Sequence, residues 1–175
     1  MYCLFLSLKN KFLGAHKLIL TDDFAEEFLL VAIHCSEEAY KVAFLLNQFA
    51  TLHLKRSKVD LEYSNNGLEI AFPLFDYEDE MRYINYDLIS NKCVAKSARV
   101  VSSGGLFDDE NISEMVTTHL IPEYKQVDFF LKISTDAPSV AIRKIVTDIN
   151  DIKQVISAYE VDTEQLKSKN NLIFD

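Results

Sequence analysis

From residue 28 onward the chain sorts into apolar runs whose period changes from segment to segment. Phe28 to Cys35 is a short, continuously apolar stretch flanked by acidic residues, the pattern of a strand buried on both faces. Ser36 offers an N-cap, and Glu37 and Glu38 suit the positive end of a helix dipole. Ala39, Val42, Ala43, Leu46 and Phe49 then recur at spacings of three and four, which predicts one apolar stripe. The opening unit is strand then helix.

Strand periodicity returns further along. Leu68, Ile70, Phe72 and Leu74 alternate with Glu69, Ala71, Pro73 and Phe75, predicting a strand with one core face. Pro73 cannot donate to a ladder, so an edge or a bulge is expected there. Asn65-Asn66-Gly67 ahead of it is turn chemistry, since asparagine and glycine tolerate positive φ. Asp76 to Glu80 reads as an acidic turn, followed by a second strand from about Met81 to Ile89. Residues 97–113, with Ser102-Ser103-Gly104-Gly105 and Asp108-Asp109-Glu110, carry the least periodicity. The segments on either side are too small to stand alone, so no domain boundary is placed there.

The last third is the clearest. Val127 to Ile133 reads as a strand, and Ala137-Pro138 opens a helix with proline at an early position. Val140, Ala141, Ile145 and Ile149 supply its apolar side. A strand from Gln154 to Val161 follows, and Asp162 with Gln165 makes a capping box for a terminal helix. Together these elements predict an α+β fold, a mainly antiparallel sheet with helices on one face. Its C-terminal third is partly ferredoxin-like, a βαβ unit.

Composition narrows the classes. A chain of 175 residues suits one domain, and 49% hydrophobic residues are ample for a core. The net charge of −9 argues against nucleic acid as a partner, because phosphate binding needs lysine and arginine. The one basic run, Lys55-Arg56-Ser57-Lys58, reads as a solvated strand end. Cys3, Cys35 and Cys93 form no CxxC pair and are odd in number, which fits a reducing compartment. No apolar run is long enough for a bilayer, and Met1 to Leu8 lacks the basic start of a signal peptide. A cytoplasmic location without membrane contact is expected.

One string stands out: Ile121-Pro122-Glu123, a three-residue spacer, then Val127-Asp128-Phe129. It resembles the signature of the IPExxxVDY family of uncharacterised bacterial proteins, with Phe129 in place of the final tyrosine. Leu88-Ile89-Ser90-Asn91-Lys92, Gly105-Leu106-Phe107 and the terminal run Leu166 to Phe174 are similar to further landmarks of that family. The likeness extends from about Lys17 to the end. Residues 1–16 are therefore read as an N-terminal extension and 17–175 as a single α+β domain. The resemblance implies no reaction, ligand or cofactor.

Candidate chemistry is sparse. Glu123 and Asp128 are paired carboxylates that would bind a cation or share a proton if they converge at the strand's entry. The preferred reading is structural: Pro122 sets a turn, Glu123 accepts backbone hydrogen bonds, and Asp128 ends a ladder or meets a nearby lysine. Asp76, Glu78, Asp79 and Glu80 offer calcium-type oxygens, yet lack the spacing and glycine of an EF-hand loop. His16, His34, His53 and His119 show no ligand spacing, and neighbouring His34 and Cys35 point to opposite strand faces. No metal, cofactor or catalytic site is expected, and no GxSxG, Walker A, GxGxxG or HExxH motif occurs.

Leu106 and Phe107, between glycines and acids, form a candidate partner contact or a pin onto their own core. Leu172-Ile173-Phe174 should dock rather than fray. The expected function is a non-enzymatic adaptor or assembly protein acting by contact with a protein partner or a second copy. A small-molecule-sensing regulatory domain of ferredoxin-like type is the alternative, and a carboxylate enzyme the third.

Overall fold

The computed structural model describes residues 27–65, 68–97, 114–135 and 140–174. The N-terminal extension, the Leu106-Phe107 loop and Ala137-Pro138 lie outside these residues, and the helix expected from Ala137-Pro138 begins only at Ile142, so that Val140 and Ala141 precede it.

Six strands form an open sheet in the order β10-β1-β9-β6-β5-β2, every neighbouring pair antiparallel. They are β1 (Phe28–His34), β2 (Lys55–Arg56), β5 (Leu74–Asp79), β6 (Ile84–Ser90), β9 (Phe129–Thr135) and β10 (Ser157–Val161). Two hairpins stand beside it, β3 (Leu61–Asn65) with β4 (Leu68–Phe72), and β7 (Lys92–Ser97) with β8 (Glu114–His119). Helices α1 (Ala39–Phe49) and α2 (Ile142–Asn150) complete the described residues, with three short 3-10 turns. The α+β class and the mainly antiparallel sheet are as the periodicity predicts.

β1 occupies the position its composition demands. Leu30, Val31, Ala32 and Ile33 are all fully buried, because both faces of the sheet are covered. Val31 and Ile33 pack with Leu131, Leu88 and the apolar side of α1 (Val42, Leu46) and with Ile149 of α2. Leu30 and Ala32 point the other way, against Phe130, Ile70, Phe72, Ile121 and Leu172. Both helices thus lie on one face, while the β3–β4 hairpin and the C-terminal segment cover the other.

The connections interleave. β9 and β10 are each antiparallel to β1, so they run parallel with β1 between them, joined through α2. β1 and β6 are likewise both antiparallel to β9 and lie on its two sides. The chain follows β1–α1, then β6 and β9, then α2–β10, across the four central strands.

Several boundaries differ from expectation for physical reasons. The cap of α1 is Glu38 rather than Ser36, its carbonyl accepting from Lys41 N (2.9 Å) and Val42 N (3.0 Å). The strand expected through Pro73 is two strands: β4 belongs to the small hairpin and β5 to the main sheet. Proline falls at the corner, where no ladder donor is needed. The acidic turn is mostly the body of β5, with Asp76 to Asp79 paired against Asp87 to Ile84. Their outward carboxylates had made a strand look like a turn, and the actual tip is residues 80–83, where Tyr83 takes a φ of 55°. The terminal helix is absent, replaced by 3-10 turns at Thr163–Gln165 and Lys169–Leu172. Asp162 still caps the first of these, accepting from Glu164 N at 3.0 Å and from the Gln165 amide at 2.6 Å.

Two asparagines satisfy backbone at the margins of the main sheet. Asn150, in the last turn of α2, accepts from Ala158 N and donates to Ala158 O of edge strand β10, both at 2.8 Å. Asn47 of α1 does the same to Leu54, at 2.8 and 2.9 Å.

Candidate functional site

The signature string folds into a clasp. Ile121 and Val127 are buried, and Pro122–Tyr124 make a 3-10 turn between them. Proline suits this place because it holds Ile121 extended and donates nothing that needs a partner. The turn is organised by Asn91, which is 0% exposed. Its Oδ1 accepts from Ile121 N (2.8 Å), and its Nδ2 donates to Tyr124 O (2.8 Å) and Val127 O (3.0 Å). Its backbone adds Asn91 N to Asp128 O (2.8 Å) and Leu120 N to Asn91 O (2.9 Å). One side chain satisfies three backbone groups of the string.

Glu123 and Asp128 are directed to different partners. Asp128 Oδ1 meets Lys92 Nζ at 2.6 Å, while Oδ2 accepts from Cys35 N at 3.0 Å, tying β7 and the end of β1 together. Glu123 Oε1 accepts from Ser168 N at 2.9 Å and holds the C-terminal segment. Partial burial pushes the Glu123 carboxyl up, but hydrogen bonds from its own N–H, the Ser168 hydroxyl and the N–H groups of Ser168 and Lys167 outweigh this. They hold it below the usual carboxylate range. Asn171 completes the seam, its amide donating to Leu120 O at 2.7 Å. The geometry is that of a tie between three distant parts of the chain.

The remaining candidates are dispersed. Strand alternation sends Asp76 and Glu78 to one face of β5 and Asp79 to the other, where it lies 3.7 Å from Arg82 Nε. Among the described residues, no three His, Cys, Asp or Glu side chains converge to hold a metal ion. His34 stacks on Tyr159 (5.8 Å between centroids), and His53 meets the Tyr77 ring edge-on at 5.2 Å. Burial, reinforced by the Lys92 and Lys125 cations, lowers the His119 pKa. The Cys35 thiol lies in the core and donates to Gln154 O at 3.4 Å. Burial pushes its pKa up against a backbone hydrogen bond from Glu37, and the Glu37 and Asp128 charges raise it further. That makes it a poor nucleophile at neutral pH. The basic run is a solvated strand end, as expected: Lys55 and Arg56 are exposed on β2.

One feature was not readable from sequence, and a second only through helix phase. A cavity of about 840 Å³ lies between the helices and β5–β6, floored by Tyr77 and Tyr86, whose rings stack at 5.8 Å. Met81, Arg82 and Lys144 stand at it, and Thr51 beside it takes a φ of 54°. The second is on α1, where Tyr40 and Phe44, one turn apart, are 68% and 62% exposed. Hydropathy alone would have buried Phe44; only the phase of the helix shows it facing out. Of the terminal run expected to dock, Leu172 does so fully and Phe174 partly, while Ile173 is 45% exposed.

No protein-family model, curated protein or solved structure matches this chain. Among the described residues, no helix is long and apolar enough to cross a membrane.

Proposed function

We propose that this protein is a non-catalytic binding module on a ferredoxin-like scaffold, acting in the cytoplasm by contact with another protein, first of all a second copy of itself. The carrying observation is the outward face of α1, where Tyr40 and Phe44 place two large rings in solvent on a rigid helix. Val42, Ala43 and Leu46 bury the opposite side of the same helix, so the two rings stand clear of the core. The βαββαβ order of the central strands supports the scaffold assignment. Membership of the IPExxxVDY family is proposed on the residues of the clasp, since the strings at 88–92, 121–128 and 166–174 are the ones tied together there. The net charge of −9 speaks against nucleic acid as the partner.

Sedimentation velocity over a concentration series tests the reading. Association that is lost in Tyr40→Ser/Phe44→Ser, with unchanged thermal unfolding, supports it. Equal association in the variant rejects this face. The second reading, a small-molecule sensor, draws on the 840 Å³ cavity, and a saturable ligand-induced rise in Tm abolished by Tyr86→Ala would favour it.

A further inference from the structure

The second face of the sheet changes character within one pleat. Leu74, Ile89 and Phe130, aligned across β5, β6 and β9, are apolar and covered by the second core. The next row along the same face is Asp76, Asp87 and Lys132, and the one after it Glu78, Asn85 and Ser134. Neighbours in such rows stand about 5 Å apart at Cβ, so six polar side chains form a two-by-three grid. A cavity of about 320 Å³ opens over it, with Phe174 of the C-terminal segment as one wall.

Three observations point to what it takes. Asp76, Glu78 and Asp87 give the lining three carboxylates against the single ammonium of Lys132. That ammonium is committed: Lys132 is 2% exposed, lies 4.6 Å from the Phe174 ring and 5.1 Å from the Phe28 ring, and stands opposite Asp87. Independently of charge, Ser134 Oγ has under 1 Å² accessible and no hydrogen-bond partner, a costly state for a buried hydroxyl unless a ligand atom meets it. The carboxylates are too spread to close on a metal ion. Asp76 and Glu78, two residues apart on β5, are about 7 Å apart along the strand. A flexible dication bridges such a gap.

We propose that this cavity is a binding site for a small aliphatic diamine. Asp76 and Glu78 take the two ammonium groups, Ser134 Oγ accepts an N–H from one of them, and the Phe174 ring covers the methylenes. The acids are partly exposed, so the ligand is held by the sum of several modest charge-assisted contacts rather than by one deep pair. The site lies on the face opposite the helices and is independent of any contact made through α1.

Calorimetric titration of the whole chain with 1,4-diaminobutane, paired with amide chemical-shift mapping, tests it against matched additions of sodium and magnesium chloride. The expected result is saturable one-to-one binding, with shifts centred on β5, β6 and β9. Asp76→Asn/Glu78→Gln should weaken it about tenfold without lowering Tm, since both carboxylates face solvent. Ser134→Ala, a smaller change, should weaken it several-fold. Absence of saturable binding, equal binding by the variants, or the same shifts produced by magnesium overturns the proposal. Tighter binding of a glycine-flanked lysine peptide than of the free diamine overturns it too, since the cation would then arrive on a protein side chain.

Discussion

Asparagine side chains stand in for backbone at three places in this protein, and the buried Asn91 is the most consequential. Asn91→Ala strips partners from Ile121 N, Tyr124 O and Val127 O together, and should cost about 3 kcal/mol in urea unfolding. Asn91→Asp should also destabilise, because a carboxylate cannot donate to the two carbonyls. Glu123 carries a pH signature. Its folded-state pKa lies below the unfolded value, so its ionised form stabilises the native state. That contribution is complete above the ordinary glutamate range and is lost as pH falls through the lowered value. Stability measured from neutral pH into acid should therefore drop less steeply in Glu123→Gln. The turn at Pro122 and the structural use of Glu123 and Asp128 were legible in the sequence, since proline and acidic residues before a strand have few local roles. Asn91 was not, because its partners lie 30 to 36 residues downstream and no local rule joins them.

At the level of elements, the outer ladder of β10 is where the fold protects itself. Asn150 occupies both hydrogen-bonding groups of Ala158, the second of the five residues of β10, leaving an incoming strand no purchase there. Asn150→Ala should cost about 1–2 kcal/mol and raise the rate of aggregation followed by light scattering; an unchanged rate would show that the edge is guarded otherwise. The C-terminal segment is equally structural. Leu172→Ala, which removes a fully buried side chain from the second core, should lower stability by about 3 kcal/mol. Elements with a strong period were readable: β1 from its continuous apolar run, α1 from its stripe, although Phe49 at the helix end is 49% exposed rather than buried with it. β5 was misread because Asp76, Glu78 and Asp79 suggested a turn, when a strand near the sheet's open side can carry acids on its exposed positions. The capping residues Asp162 and Gln165 were identified correctly, but tertiary docking of Leu166 and Leu172 shapes the segment that follows into 3-10 turns.

For the molecule as a whole, two cores share one sheet. If α1 is the contact face, its association should persist in high salt, since Tyr40 and Phe44 contribute apolar area rather than charge, whereas diamine binding over Asp76 and Glu78 should fade as ionic strength rises. Titrating both with sodium chloride separates the two surfaces in one protein. The central placement of β1 has a kinetic side as well. Its ladder partners are about 100 residues later in β9 (Val31 with Leu131) and about 130 later in β10 (Leu30 with Val161). The greasiest strand is therefore made long before either neighbour, and pairings this distant in sequence close slowly. Refolding from denaturant should be sluggish and its yield should fall with protein concentration, because the waiting strand is an aggregation template until its late partners arrive.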